Sequence, residues 1–236
     1  MKNKKWIFIV LGIIILGIII FFVIGMIRKI KLRDNSLLKT KEVMSTKLNN
    51  FSYNALVSTN VYGMKFNISL NCKEDRINKL GYCNVNSNIV SLEEYMDYKN
   101  NVTYTKTDVI TNDSFSWQKN THNNIGEVTP ILNTLDHVSI QKKEKKDNGI
   151  LYTGVINGKS LSGIFKTVNT ATSNRINISS LFKKKVPVTV FVNNDNYVEN
   201  FSFTTNLVGI SVNCNINYTD FNTTPSLSLP GELNGL

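Results

Sequence analysis

A continuous apolar segment lies near the start of the chain. Residues 6–27 (WIFIVLGIIILGIIIFFVIGMI) contain no charged or strongly polar side chain. As a helix rising about 1.5 Å per residue, the segment would cover roughly 33 Å, enough to cross the hydrocarbon core of a bilayer. A secretory signal peptide has an apolar part of only about 7–15 residues and a small-residue cleavage site, and neither feature fits here. The pattern therefore predicts one uncleaved transmembrane helix, with a short basic tail over residues 1–5 and a basic juxtamembrane linker over residues 28–35.

The next segment has the period of an amphipathic helix. Asn35 and Ser36 are suitable N-terminal caps, and the helix is expected to end near Asn49 and Asn50. Its apolar positions recur near a 3.6-residue period at Leu37, Leu38, Val43, Met44 and Leu48.

The period then changes to two, which is typical of antiparallel strands with one buried face. Met64, Phe66, Ile68, Leu70 and Cys72 alternate with polar residues. Val212, Cys214, Ile216 and Tyr218 alternate with serine and asparagine near the C terminus. Turn signals at Asn157-Gly158 and over residues 193–196 separate further strands, so the pattern predicts a meander.

One segment interrupts the predicted meander. Residues 127–138 (EVTPILNTLDHV) place Val128, Ile131, Leu132 and Leu135 on one helical face, with Pro130 in the first turn. We interpret it as a short amphipathic helix, and an irregular loop covering the sheet is the alternative. Prolines at positions 225 and 230 predict an extended tail.

Most of the positive charge lies beside the predicted membrane helix. The chain has 27 basic and 17 acidic residues, a net charge of +10. Seven basic residues and no acid fall in residues 1–33, which leaves 20 basic against 17 acidic residues in the remainder. The run over residues 141–147 (QKKEKKD) is broken by acids and indicates a solvated loop. A nucleic-acid partner needs a basic face and is not expected.

Cys72 and Cys83 are candidates for a disulfide. Both occupy apolar positions of successive strands around the turn-like KEDRINKL, so a symmetric hairpin would bring them opposite each other. A bridge would imply an oxidising compartment. The chain has three cysteines, and each is equally interpretable as a small buried hydrophobic residue.

No motif supplies catalytic or metal-binding chemistry. HExxH, GxSxG, GxGxxG, phosphate-loop and paired CxxC motifs are absent. His122 and His137 lie in polar or helix-end contexts. Glu93, Glu94 and Asp97 come closest to a metal-binding cluster, but strand alternation separates Glu94 from the other two, which favours solvated edge charges. We expect no enzyme activity, no cofactor and no metal.

The order of these elements resembles a known family. An N-terminal helix with LLKTKEVM precedes a meander containing EEYMDYKNNVTYTK and FSWQKN, and SVNCNINYTDFNTTPSLSLPGEL follows the interrupting helix. The final strand runs into Tyr218, Asp220, Phe221 and Asn222 before an extended segment that reaches Leu229-Pro230. Over residues 36–232 this resembles the half-barrel lipoprotein carriers of bacterial envelopes, the LolA and LppX/LprG superfamily, leaving residues 233–236 as a tail.

The resemblance implies an α+β fold that is mostly antiparallel β. It implies a strongly curved half-barrel sheet, helices against its concave face and an apolar cavity for acyl chains. Members are extracytoplasmic, so we expect the domain to lie outside the cell membrane, against the positive-inside count of Arg28, Lys29, Lys31 and Arg33 beyond the span. Relatives usually carry a cleaved signal or a lipidated cysteine, whereas here a protein helix is the expected anchor.

The apolar side chains of the strands and of the second helix are the candidates for lining this cavity. They are Met64, Phe66, Ile68, Leu70, Tyr95, Trp117, Ile131, Leu132, Leu135, Val212 and Ile216. Ile131, Leu132 and Leu135 would serve as a lid or plug, or equally as part of a filled core. The resulting hypothesis is an anchored binding protein for a lipid or other hydrophobic ligand. The alternative is an envelope sensor or scaffold that binds a membrane protein.

Overall fold

The computed structural model describes residues 35–87, 90–109, 116–123, 130–161, 185–207, 210–233 and 236. The predicted membrane helix over residues 6–27, the basic tail and nearly all of the linker lie outside these described residues. Within the described residues, no helix is both long enough and apolar enough to span a bilayer. Residues 37–236 form one compact unit.

Two α-helices and eleven β-strands make up the described part of the chain. Helix α1 spans Ser36–Lys47 and helix α2 spans Pro130–Leu135. The first six strands are β1 Asn50–Val61, β2 Met64–Asp75, β3 Leu80–Ser87, β4 Val90–Asp97, β5 Val102–Val109 and β6 Gln118–Thr121. The remaining five are β7 Ser139–Lys146, β8 Gly149–Asn157, β9 Lys185–Asn193, β10 Val198–Leu207 and β11 Ile210–Thr219. Short 3₁₀ turns occupy Gly158–Leu161 and Gly231–Leu233.

The described strands form one open antiparallel sheet. Their order is β6-β5-β4-β3-β2-β1-β11-β10-β9-β8-β7. Strands β1 to β6 pair in sequence order, as do strands β7 to β11, and β6 and β7 form the two edges. At the centre β1 pairs with β11, and Tyr53 lies opposite Tyr218. The predicted antiparallel meander with few helices is therefore confirmed, and it consists of two arms joined by the first and last strands.

One face of this sheet is buried, and we call it the core face. On β1 it carries Phe51, Ala55 and Val57, all buried, while Asn54 and Leu56 on the outer face are exposed. Period-two alternation produces this division because successive side chains point to opposite sides of a strand.

Both helices cover the core face. Buried residues of α1 and α2, together with Leu161 of the first 3₁₀ turn, share one apolar cluster with the strands. The helical contributors are Leu37 and Met44 of α1, Leu48 just after it, and Ile131, Leu132 and Leu135 of α2. The predicted helix over residues 36–49 is thus confirmed, although Leu38 points outward and is exposed.

The outer face is polar along the centre of the sheet. The side-chain amide of Asn200 donates to the side-chain oxygens of Asn215 and Asn217, each at 2.7 Å. These asparagines alternate with the buried residues of β10 and β11 and therefore lie on the outer face.

Two local predictions were wrong. Asn157-Gly158 does not connect two strands as a tight hairpin, because the chain enters a 3₁₀ turn there and the next described strand begins at Lys185. The side chain of Asn157 accepts a hydrogen bond from the Lys159 amide at 3.1 Å, and Leu161 is drawn fully into the core. The basic run at 141–147 is mostly strand β7 and not a loop. Its backbone forms hydrogen bonds with β8, while most of its side chains are exposed to solvent.

Candidate functional site

The structure brings most of the predicted cavity residues together on the core face. Six of them are buried in the main apolar cluster, and Ile68 packs against it while retaining some accessible surface. The six are Leu70, Ile131, Leu132, Leu135, Val212 and Ile216. Met64 and Phe66 also point to the core-face side, but they lie at the free end of the β1–β2 hairpin with exposed fractions of 60% and 40%.

Tyr95 and Trp117 lie on the opposite side of the sheet. Strand alternation places Tyr95 on the outer face of β4, where its ring is 5.7 Å from that of Trp117. The indole N–H of Trp117 donates to a carboxylate oxygen of Glu232 at 2.9 Å. These two rings pack against a second apolar cluster of Val102, Tyr104 and Leu233. Both rings therefore lie beside the C-terminal segment, on the face opposite the other predicted cavity residues.

The core face is not completely buried at its centre. Tyr53, in the middle of β1, packs against the main apolar cluster but keeps part of its surface accessible. Leu92 and Thr105 on β4 and β5 are also only partly buried, although both point to the core-face side. These three side chains therefore leave part of the core face accessible.

A row of side chains crosses the core face through this region. Direct cross-strand partners place Tyr218, Tyr53, Cys72, Cys83, Glu94 and Thr105 in that order from β11 to β5. Cys72 and Cys83 form a disulfide in the middle of the row. Cys214 is a free, buried thiol, and burial raises its pKa to about 12. The otherwise apolar core face therefore carries one row of side chains that includes hydroxyl groups and a carboxyl group.

Glu94 is the unusual member of this row. Its exposed fraction is 8%, and no described residue donates a hydrogen bond to its carboxyl group. Burial raises the pKa of Glu94 above its ordinary value. Because charged carboxylates lose hydration when they are buried, the neutral acid is favoured here. The expectation that Glu94 is a solvated edge charge was wrong.

A second acid, Glu74, lies on the same face one row away. It is almost fully buried, and the Tyr98 hydroxyl donates to it at 3.5 Å. Burial raises the pKa of Glu74 well above its usual range, although the Arg76 guanidinium and the Tyr98 hydroxyl oppose the shift. Arg76 also donates to the carbonyl oxygens of Met44 and Leu48, at 2.7 and 3.1 Å. The Arg76 guanidinium therefore interacts both with Glu74 and with the C-terminal end of α1.

Gly81 makes room for this acidic region. It lies opposite Glu74 on β3, and a Cβ atom at this position would lie 2.5 Å from the Tyr98 hydroxyl oxygen and 3.2 Å from a Glu74 carboxylate oxygen. Such distances are below van der Waals contact, so any larger residue would displace Tyr98. The absence of a side chain at Gly81 therefore lets the Tyr98 hydroxyl approach β3 closely.

The tyrosines near the two acids are held in their neutral form. Burial, followed by the charges of Glu74 and Glu94, raises the pKa of Tyr53 and of Tyr98. Tyr218 is likewise shifted upward by burial, and its ring lies 5.6 Å from that of Tyr53. The region therefore combines aromatic rings, hydroxyl groups and two carboxyl groups within an apolar surface. Among the described residues, no group of three or more potential metal ligands occurs.

Comparison with known proteins returns similarities of structure only. No protein-family model and no curated protein matches the chain. Lipoprotein LppX of Mycobacterium tuberculosis matches at 13% identity with a TM-score of 0.45, over 82% of this chain and 97% of LppX. A DUF1329 family protein from Desulfovibrio piger matches at 8% identity and a TM-score of 0.30, over 81% and 92% of the two chains. A beta-barrel-like DUF1849 protein from Brucella abortus matches at 7% identity and a TM-score of 0.27, over 73% and 100%.

The matched structures include a member of the carrier family that the sequence resembles. All three TM-scores are below 0.5, and these likenesses concern the fold alone.

Sequence reasoning missed the two buried acids, although alternation contains the signal for both. Glu74 continues the apolar positions of β2 two residues after Cys72, and Glu94 lies between Leu92 and Met96 on β4. The residues two positions before or after each of these acids on the same strand are apolar. Alternation therefore assigns both carboxyl groups to the buried face.

The two raised pKa values predict that stability falls as the pH rises. The folded state holds the protons of Glu74 and Glu94 more tightly than the unfolded chain, whose carboxyls titrate near 4.5. Their stabilising contribution is therefore complete below that pH and is lost as the pH rises through the folded pKa values. Urea unfolding should show a decrease of up to about 1.4 kcal/mol per pH unit for each group.

Two glutamate variants separate the contribution of Glu94 from general charge effects. Glu94→Gln should flatten part of the decrease, whereas Glu93→Gln, on the outer face beside Tyr82, should retain all of it. Asp75 does not interfere, because hydrogen bonds from Asn78 and Leu227 outweigh its burial and lower its pKa, so it titrates below this range. Superimposable pH curves for Glu94→Gln and the unsubstituted protein would contradict the assignment.

Proposed function

We propose that this protein is a non-enzymatic binding protein for a lipid or another hydrophobic ligand, and that the ligand occupies the core face of a curved, half-barrel sheet. The observation that supports this proposal is the accessible surface that Tyr53, Leu92 and Thr105 keep on the otherwise apolar core face. The interior of a protein is normally packed to high density, and accessible side chains on an apolar face offer contact surface to a hydrophobic ligand.

We further propose that residues 6–27 hold the protein in the cell membrane with the C-terminal domain outside. The length of the apolar segment supports the anchor. The Cys72–Cys83 disulfide supports an oxidising compartment, because disulfides persist outside the reducing cytosol. An anchored binding protein acts on ligands that reach its own bilayer.

The test is ligand binding by the full chain, kept in solution with amphipol and free of detergent. Native mass spectrometry should detect a co-purified hydrophobic ligand, and a dansyl-labelled fatty acid should bind with increased fluorescence. Leu92→Trp places a large ring on the accessible core face and should weaken binding of the dansyl probe roughly tenfold, equivalent to about 1.4 kcal/mol.

Leu56→Trp is the matched control. Leu56 lies on the outer face of the central strand with 49% of its surface exposed, so tryptophan there should leave probe binding unchanged. Absence of both a co-purified ligand and probe binding would refute the proposal. Equal weakening by both tryptophan variants would place the probe elsewhere.

A second candidate function is a sensor or scaffold with a membrane protein partner. The observation in its favour is the free end of the β1–β2 hairpin, where Tyr62, Met64 and Phe66 are exposed. A photo-crosslinking residue at Tyr62 should then capture one defined membrane protein in intact cells, and the same residue at Lys185, on β9, should not. Labelling of lipids alone would argue against this candidate.

A further inference from the structure

The β1–β2 hairpin exposes large apolar side chains around its turn, and we call residues 62–66 the hairpin tip. Tyr62, Met64 and Phe66 have exposed fractions of 76%, 60% and 40%. Lys65, between the last two, is also exposed. Each strand of the hairpin has 12 residues, which at about 3.3 Å per residue gives a length of roughly 40 Å. Apolar side chains exposed together indicate a surface that contacts a partner or a membrane.

The turn at the hairpin tip holds a tyrosine in a backbone conformation that suits asparagine or glycine. Val61 lies opposite Met64, so Tyr62 and Gly63 form a two-residue turn, with φ angles of 49° and 92°. Asn-Gly is the preferred sequence for a two-residue turn with two positive φ angles. The left-handed conformation is costly for a bulky residue. Because most of its surface is exposed, the Tyr62 ring gains little from packing within the protein.

Elsewhere the chain uses other residue types for the same backbone conformation. None of the other described non-glycine residues with a positive φ is aromatic. They are Lys79, Asn101, Asn196, Asp220 and Asn222. Asparagine and aspartate tolerate this conformation, since their short polar side chains form local hydrogen bonds. A tyrosine in the turn therefore lowers stability without compensating contacts inside the domain, which favours a role in contacts outside it.

The chain that precedes the domain indicates what the hairpin tip contacts. The apolar segment proposed as the anchor ends at residue 27 and α1 begins at Ser36, so eight residues separate them. Eight fully extended residues span at most about 28 Å. The domain is therefore tethered to the bilayer by a segment that is shorter than the hairpin itself.

The composition of the hairpin tip suits the interface between a bilayer and water. Tyrosine is enriched at such interfaces, because its ring is apolar and its hydroxyl group is polar. Lysine lays its aliphatic part along apolar surface and keeps its ammonium group near the lipid head groups. The opposite end of β2 leads into a turn with Arg76 and Lys79, where Ile77 is exposed among polar and charged neighbours. The apolar surface is thus confined to one end of the hairpin.

We infer that the hairpin tip contacts the lipid interface of the bilayer that holds the anchor, with Tyr62 as the inserted ring. The inference rests on the anchor in the proposed function. It also supplies a path for the ligand, because the exposed fractions of the core-side residues of β2 fall from 60% at Met64 and 40% at Phe66 to 5% at Leu70. A lipid chain that leaves the bilayer at the hairpin tip meets apolar side chains that continue to the core face.

Quenching by lipid-borne doxyl groups tests the contact. The full chain carries Cys214→Ala, so that no native thiol is free, and is placed in liposomes of phosphatidylcholine and phosphatidylglycerol with doxyl groups on their acyl chains. An NBD label on Lys65→Cys should be quenched, whereas the same label on Lys73→Cys should not. Both lysines are exposed on the outer side of β2, and position 73 lies about 26 Å further along the strand.

Tyr62→Asn tests the ring and keeps the turn. Asparagine suits the positive φ, so this variant should resist urea at least as well as the unsubstituted protein. In the same variant the label at position 65 should lose most of its quenching. Ile77→Asn removes a similarly exposed apolar side chain at the other end of β2 and should leave the quenching unchanged.

The outcomes separate this inference from the proposed function. Equal quenching at positions 65 and 73, or full quenching in Tyr62→Asn, would overturn the inference and leave the anchor and ligand binding standing. Capture of one membrane protein by the crosslinker at Tyr62, without quenching at position 65, would assign the hairpin tip to a protein instead. A full chain that does not float with the liposomes would refute the proposed anchor, and the contact with it. Binding of the dansyl probe is measured separately in amphipol, so its loss bears on ligand binding alone.

Discussion

Phe51→Ala is expected to lower the free energy of unfolding by about 3–5 kcal/mol. The Phe51 side chain is fully buried on the central strand, and its ring lies 6.3 Å from that of Tyr53 and 6.0 Å from that of Tyr218. The substitution removes this apolar surface and leaves a cavity where α1 meets the sheet. Urea denaturation followed by far-ultraviolet circular dichroism measures the change.

Phe66→Ala is the matched control for this prediction. Phe66 points to the same side of the sheet but lies near the end of the hairpin, with 40% of its surface exposed. Its replacement should cost clearly less than that of Phe51, because less apolar area is returned to water. Equal costs for the two alanine variants would show that the assigned core position is incorrect.

Loss of the Cys72–Cys83 disulfide is expected to lower stability by roughly 2–3 kcal/mol, since the bridge closes a short loop and restricts the unfolded chain. The two cysteines are 11 positions apart and face each other across β2 and β3. Urea titrations of the oxidised and the reduced protein should differ by this amount. The double variant Cys72→Ala, Cys83→Ala should resemble the reduced protein and should not respond to reductant.

Thiol counting checks the bridge directly. Unfolded but unreduced protein should take up one alkyl group, at Cys214, and reduced protein should take up three. Three groups on the unreduced protein would mean that the bridge is absent. Cys214→Ala serves as a control, because its stability should still depend on reductant.

Strand periodicity carried most of the correct predictions. Alternation in β2 and β11 assigned Leu70, Val212 and Ile216 to the buried face, and the symmetry of the β2–β3 hairpin placed Cys72 opposite Cys83. These features depend on neighbours in sequence and on the period of two, both of which are visible in one sequence.

Other features depend on contacts between distant segments and were not predictable from local pattern. The sequence around Trp117 is compatible with either face of the sheet. The hydrogen bond from its indole N–H to Glu232, far away in sequence, shows which face the ring occupies. Tyr95 was predicted to line the cavity, although alternation assigns it to the face opposite Glu94. Asn157-Gly158 has the composition of a hairpin turn, but the chain forms a 3₁₀ turn there that buries Leu161 in the core.

The pairing of β1 with β11 has a consequence for how the chain folds. The centre of the sheet joins segments that are far apart in sequence, with Ser52 aligned to Thr219 and Val61 to Ile210. Such non-local pairing slows folding, because a long loop must close before the contact forms. During synthesis, β1 keeps one edge without a partner until the last strand has left the ribosome. An unpaired edge readily adds strands from other molecules, so the full-length chain is better protected against aggregation than any fragment that stops before β11.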